Sequence, residues 1–124
     1  MRIICVDPSA HDIVRLTQKV RQLIPDSAIY GCGTAVEALA RARAEGCDVL
    51  LTEIDLESAQ MDGFVLAEQM AGINPRVNII FMSGRMDNDK ARLALELHAS
   101  GYLNKPCRAG DLEDQLDNLR FAAG

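Results

Sequence analysis

The amino-acid sequence predicts a doubly wound α/β sandwich, a five-stranded parallel sheet with five helices packed on its two faces. Three observations carry that prediction. Short apolar runs alternate five times with longer stretches of helical period, the runs are almost entirely apolar as in strands covered on both faces, and the connections are short. A chain of 124 residues fills one core rather than two, so residues 1–124 are expected to form one domain.

Each element has its own signal. The first run, Ile3 to Val6, ends at Asp7-Pro8, and Ser9 is placed to cap a helix in which Ile13, Leu16, Val20 and Leu23 recur at spacings of three and four. The second strand, Ala28 to Cys32, is followed by an Ala-rich helix from Thr34 to Ala44 that stops at Gly46. The third run, Val49 to Ile54, leads into acids. Leu66 and Met70, four apart after Gly63, mark the third helix, which Asn74-Pro75 closes. The fourth run, Val77 to Met82, precedes Ser83. The next helix begins near Asn88 or Asp89 with Asp87 and Asp89 as caps, carries Leu93 and Leu97 on one stripe, and stops at Ser100-Gly101. Gly101 to Leu103 is the fifth strand, and Leu112, Leu116 and Leu119 mark the last helix.

Composition narrows the function. The 13 Lys and Arg stand against 18 Asp and Glu, a net charge of −5, which leaves no electrostatic footprint for nucleic acid or anionic lipid. No apolar run nears the roughly 20 residues of a membrane helix, and Met1-Arg2-Ile3-Ile4-Cys5-Val6-Asp7 meets an acid too early for a signal peptide. The chain therefore reads as cytoplasmic, with proteins or cations as partners and no direct contact with nucleic acid or membrane. Cys5, Cys32, Cys47 and Cys107 form no Cys-x-x-Cys pair and read as small hydrophobes; neither His11 nor His98 belongs to a nucleophile constellation.

In an open parallel sheet the ligand site lies beyond the carboxyl ends of the strands. There the sequence places Asp7, Glu53, Asp55, Ser83 and Lys105. Three carboxylates, a hydroxyl and an ammonium on one edge suit a hard cation such as Mg²⁺ together with an oxygen-rich anion. Glu53 and Asp55, two apart, point to the same side for as long as the strand stays extended.

The stretches Ile3-Ile4-Cys5-Val6-Asp7, Gly46-Cys47-Asp48-Val49-Leu50-Leu51-Thr52-Glu53-Ile54-Asp55-Leu56, Met61-Asp62-Gly63, Met82-Ser83-Gly84 and Gly101-Tyr102-Leu103-Asn104-Lys105-Pro106 follow in order at suitable intervals. With them the chain resembles the receiver domain of two-component response regulators over essentially its whole length. The resemblance implies a flavodoxin-like fold and a signalling module rather than an enzyme. It implies a phosphoryl group taken from a sensor histidine kinase or phosphotransfer protein onto an aspartate at the end of the third strand, beside Mg²⁺. It also implies that Ser83 and Lys105 contact the phosphoryl oxygens, that Tyr102 switches rotamer with Ser83, and that Lys105-Pro106 is a candidate cis bond. The output is then a downstream protein or a fused domain, reached through the surface of the fourth helix, fifth strand and fifth helix, which is also a possible homodimer face. Phosphoryl transfer is catalysed by positioning and charge offset, which Mg²⁺, Lys105 and Ser83 would supply.

Two departures matter more than the matches. Pro8 stands where the family has a second acid, so Mg²⁺, carried by Asp7, Glu53 and Asp55, is expected to bind weakly. A gapless alignment of the third strand puts Glu53 on the acceptor position, and its carboxylate reaches about 1.5 Å further than that of an aspartate. A displacement of about 1 Å can slow a reaction on the order of 10²-fold. Glu53 is therefore expected to be a poor acceptor and a built-in mimic, with one negative charge where a phosphoryl group carries closer to two. The alternative acceptor is Asp55, seven residues before Asp62. Under the Glu53 register the loop from Leu56 to Gln60 is about two residues long in excess, lacks proline and should be more mobile. Arg85 is placed to pair with Glu53 or Asp55 or to project into water. The expectation is an atypical receiver; the alternatives are a conventional one phosphorylated on Asp55 and a phosphorylation-independent protein-binding module. A Mg²⁺-dependent hydrolase using Asp55 is disfavoured, because no general acid pair accompanies it.

Overall fold

A computed structural model describes residues 1–56 and 61–119. In chain order the elements are β1 (Arg2–Val6), α1 (Ala10–Leu23), β2 (Ala28–Cys32), α2 (Ala35–Glu45), β3 (Val49–Glu53), α3 (Gly63–Ile73), β4 (Asn78–Ser83), α4 (Asn88–Glu96), β5 (Gly101–Asn104) and α5 (Ala109–Asp117). All four strand pairings are parallel, and the sheet order is β2-β1-β3-β4-β5. The chain winds outward from β1 to β2, crosses back to β3 and continues the other way. The order thus reverses between β1 and β3, and the crevice beyond their carboxyl ends is the place this topology offers to a ligand.

The continuous apolar runs have a direct cause, since successive residues face opposite layers. Ile4, Val6, Leu50, Ile79 and Phe81 pack with Ala38 and Leu39 of α2, Leu66 and Met70 of α3 and Ala94 of α4. Their neighbours Ile3, Cys5, Val49, Leu51, Ile80 and Met82 pack with Leu16 and Val20 of α1 and with Leu112 and Leu116 of α5. The helices begin where capping side chains satisfy free N–H groups: Ser9, Thr34, Asp62 and Asp87 accept from Asp12, Glu37, Val65 and Lys90 respectively. Among the described residues no helix is long and apolar enough to cross a membrane.

Some expectations need correcting. The stripe assigned to α4 is wrong: Ala94 is the residue it buries, Leu93 is 44% exposed, and Leu97 is the half-buried C-cap. Asp87, not Asp89, caps that helix. Its end falls at Glu96 rather than at Ser100, because His98 turns the chain in the left-handed region at φ 57° while its N–H donates to Leu95 O. A side chain there is strained where glycine is not, so His98→Gly should stabilise the domain by about 0.5–1 kcal/mol in urea unfolding. The strand β3 stops at Glu53 and not at Ile54. The expectation about the loop falls on residues 57–60, which lie outside the described residues.

All four cysteines are free. Burial pushes the Cys47 thiol up to about 12 and raises those of Cys5, Cys32 and Cys107 as well, so they behave as hydrophobes rather than as thiolates.

Candidate functional site

At the crevice, Asp7 follows β1 and is 2% exposed, and Glu53 ends β3 and is 5% exposed. Backbone hydrogen bonds hold both in place: Asp7 N–H donates to Cys32 O, Ile54 N–H to Met82 O, and Gly63 N–H to Ile54 O. The last of these brings the start of α3 against the end of β3. A Cβ on residue 63 would lie 2.4 Å from Glu53 O and 2.8 Å from Ile54 Cα, so only glycine fits there. The same bend takes Asp55 out of the strand. The extended conformation thus ends before Asp55, so the condition for Glu53 and Asp55 to point together is not met; Glu53 is buried and the side chain of Asp55 is 71% exposed.

Lys105 reaches the crevice from the turn after β5, where its N–H donates to Ser83 O and its bond to Pro106 is cis. Its Nζ donates to Asp7 Oδ2 at 2.6 Å and lies 2.9 Å from Glu53 Oε2 and 3.2 Å from Asp12 Oδ2. Asp7 Oδ1 accepts from Ser9 N–H, and Glu53 Oε1 accepts from Asp55 N–H at 3.3 Å. The contact between Glu53 Oε2 and Lys105 is ionic and its direction falls short of a hydrogen bond, so this buried oxygen has no hydrogen-bond partner among the described residues.

One ammonium thus faces three carboxylates. Burial alone would lower the Lys105 ammonium, but its hydrogen bond to Asp7 and the attraction of the Asp7 and Glu53 carboxylates outweigh it and hold it above its ordinary 10.5. Glu53 moves up from 4.5, because burial exceeds what its share of that ammonium returns. Asp12 moves down through its hydrogen bond to Lys105. A carboxyl raised in the folded state favours folding most while protonated. The Glu53 contribution is therefore largest below 4.5 and is lost as pH rises through its folded value. Glu53→Gln should remove that loss, so the variant should gain stability relative to the parent between pH 4.5 and neutrality, as read by chemical unfolding at each pH.

A second group sits beside the first. Ser83, fully buried at the end of β4, accepts at Oγ from Arg85 N–H and from Lys90 Nζ at 3.2 Å. Lys90, in the first turn of α4, also donates to Arg85 O at 2.9 Å and lies 3.6 Å from Asp55 Oδ2. The five residues expected at the strand ends therefore fall into two clusters, Asp7, Glu53 and Lys105 in one and Ser83 and Asp55 in the other. Lys90 rather than Arg85 pairs with Asp55, and Arg85 is exposed. Tyr102 lies on edge strand β5, opposite Phe81 in register and 44% exposed.

Asp12 and Lys90 were missed as site residues. Their only sequence signals are a carboxylate three residues after the Ser9 cap and a lysine three residues after the Asp87 cap. As arranged, the residues do not fit the expected divalent ion. Lys105 stands between the carboxylates that would ligate it, Pro8 offers no ligand, and among the described residues no group of three or more metal-ligating side chains is disposed to hold a metal.

Residues 3–117 match the family described as response regulator receiver domain. The protein-glutamate methylesterase/protein-glutamine glutaminase 3 of Geobacter sulfurreducens is 31% identical over 108 residues, which cover 87% of this chain and 28% of that protein. The transcriptional regulatory protein ZraR of Salmonella typhimurium is 31% identical over 81 residues, 65% of this chain and 18% of that one. The chain thus spans less than a third of the length of these relatives. Among solved structures, the Vibrio cholerae chemotaxis protein CheY4 aligns with a TM-score of 0.85 at 18% identity, covering 96% of this chain and 98% of its own. The receiver domain of a DNA-binding response regulator from Colwellia psychrerythraea aligns at 0.84 and 21%, covering 96% and 97%. The five-stranded parallel sheet with its five helices is accordingly the CheY-like, flavodoxin-like fold, and the chain belongs to the response regulator receiver domain family.

Proposed function

We propose that this receiver is atypical: Glu53 stands at the phosphoacceptor position, and the ionic cluster around it, rather than a phosphoryl group, sets the state of the domain. The observation that carries the reading is the buried Glu53 carboxylate at the end of β3, 2.9 Å from Lys105 Nζ. An acceptor must present an open oxygen to the donor phosphorus, and this one is enclosed and already engaged by the ammonium that would offset transferred charge. Receiver domains bind Mg²⁺ at the acidic site as a family property; in this chain that binding is weak, because Asp7 and Glu53 are held by Lys105 and Asp55 stands apart. The state is passed to the face of α4, β5 and α5, where Leu93, Leu95 and Tyr102 are exposed. Sensor histidine kinases or phosphotransfer proteins are the upstream partners of such domains. The downstream side is a protein partner or fused output domain, and the same face serves a homodimer.

A second reading has its own support. Asp55 is exposed, and Lys90 links it to the Ser83 hydroxyl. Incubation with Mg²⁺ and acetyl phosphate, followed by intact mass and peptide mapping, separates the two. No phosphoryl gain is expected for the parent chain, whereas Glu53→Asp, whose carboxylate withdraws by about 1.5 Å from Lys105, should gain labelling. A phosphoryl group on Asp55 of the parent, or an inert Glu53→Asp, contradicts the Glu53 reading.

A further inference from the structure

Between α1 and the turn after β5 lies a cavity of about 80 Å³. Leu16 of α1 and Met82 of β4, both buried, give it apolar walls together with Pro106 and Cys107 of the turn. Arg15 and Lys19 of α1 line it as well. Four residues apart, they are neighbours on the helix surface, where like charges repel. Among the described residues no acid offsets them: Arg15 makes no hydrogen bond or ion pair, and Lys19 Nζ donates to a neutral group, Cys107 O, at 2.9 Å. Asp7 and Asp12 also line the cavity, but both face Lys105, at 2.6 and 3.2 Å. The charge left without a partner is positive. We propose that this cavity binds a small organic monocarboxylate, its acid group on Arg15 and Lys19 and its short hydrocarbon tail against Leu16, Met82 and Pro106.

Each half of such a ligand has its partner. A guanidinium presents parallel N–H groups that match a carboxylate, and an ammonium beside it adds a further charged donor. Binding also relieves the repulsion between the two cations, a cost the free protein carries. A dicarboxylate is disfavoured, because Asp7 and Asp12 line the same cavity and repel a second negative charge. Size then sets the tail. An apolar cavity of about 150 Å³ takes a benzene ring, so one of about half that volume takes a chain of two or three carbons, as in propionate or butyrate. Among the described residues neither Arg15 nor Lys19 touches Glu53 or Asp55, so the inference stands apart from the choice of acceptor.

The test titrates sodium butyrate into the parent chain, Arg15→Gln and Lys19→Gln at constant ionic strength, followed by methyl NMR of Leu16 and Met82. Both methyl signals of the parent should shift and saturate with a Kd of about 1–10 mM, the range that six heavy atoms supply. Each variant should bind about tenfold more weakly, the loss of one charge-assisted hydrogen bond. Two further titrations of the parent need no variant. Formate has the charge without the tail and 1-butanol the tail without the charge, and each should bind about tenfold more weakly than butyrate. Shifts that do not saturate, that sodium chloride or formate reproduces at the same concentration, or that persist unweakened in both variants overturn the proposal. Neither metal nor phosphodonor enters the titrations, so their failure leaves the reading of Glu53 untouched.

Discussion

Lys105→Met is expected to lower the stability of the domain by about 3–5 kcal/mol at neutral pH. Lys105 holds Asp7 and Glu53, both almost fully buried, and removing the ammonium leaves two enclosed carboxylates facing each other and Asp12. Methionine keeps the aliphatic stem, so the loss reports the charge and not the packing. The sign with pH follows from linkage. Without Lys105 the attraction that opposes burial at Glu53 disappears, its carboxyl rises further, and folding of the variant is favoured while that group is protonated. The deficit should therefore be smaller near pH 4.5 and widen toward neutrality. In the parent the contribution of Lys105 is fully present below 10.5 and is lost only as pH rises through its folded value. Urea unfolding of both chains across that range checks the claim. An equal deficit at all pH values would assign the effect to packing.

Gly63→Ala comes second, with an expected loss of about 1–3 kcal/mol, the usual consequence of forcing a methyl group into filled space. The atoms it meets are backbone, Glu53 O at 2.4 Å and Ile54 Cα at 2.8 Å, so no side chain can swing aside. Either α3 retreats or the end of β3 shifts, and both displace Glu53 from Lys105. The variant should therefore also lose part of the coupling between Glu53 and Lys105 in a double-mutant cycle. Gly72→Ala is the control, since nothing lies within 4 Å of a Cβ there. It should be neutral or mildly stabilising, because alanine is the better helix former.

The fold was legible wherever periodicity and burial coincide. In β1, β3 and β4 both faces are covered, so the strands are apolar apart from Arg2, Thr52, Glu53, Asn78 and Ser83 toward their ends, and the apolar run marks each strand to within a residue or two of its end. In α4 the pattern misled, because alanine carries little hydrophobic signal and leucine carries much, yet Ala94 faces the sheet and Leu93 faces solvent. In the site, Asp7, Glu53 and Lys105 were readable because strand ends follow from the strands themselves. Asp12 and Lys90 were not, since each sits in the first turn of a helix, where acids and lysines are ordinary surface residues. Their roles depend on how α1 lies against the turn after β5 and how α4 lies over Ser83, which is tertiary information. The parting of Glu53 from Asp55 was hidden for a related reason. It follows from the bend that Gly63 N–H and Met82 O impose through Ile54, a pair of long-range backbone hydrogen bonds.

The claim that Glu53, and not a phosphoryl group, sets the state of the domain is tested most directly by amide NMR spectra of the α4, β5 and α5 face. Acetyl phosphate with Mg²⁺ should leave the spectra of the parent chain unchanged, while Glu53→Gln alone should shift resonances around Leu93, Leu95 and Tyr102. Spectra that move with the phosphodonor and stay fixed on replacing Glu53 would contradict the account.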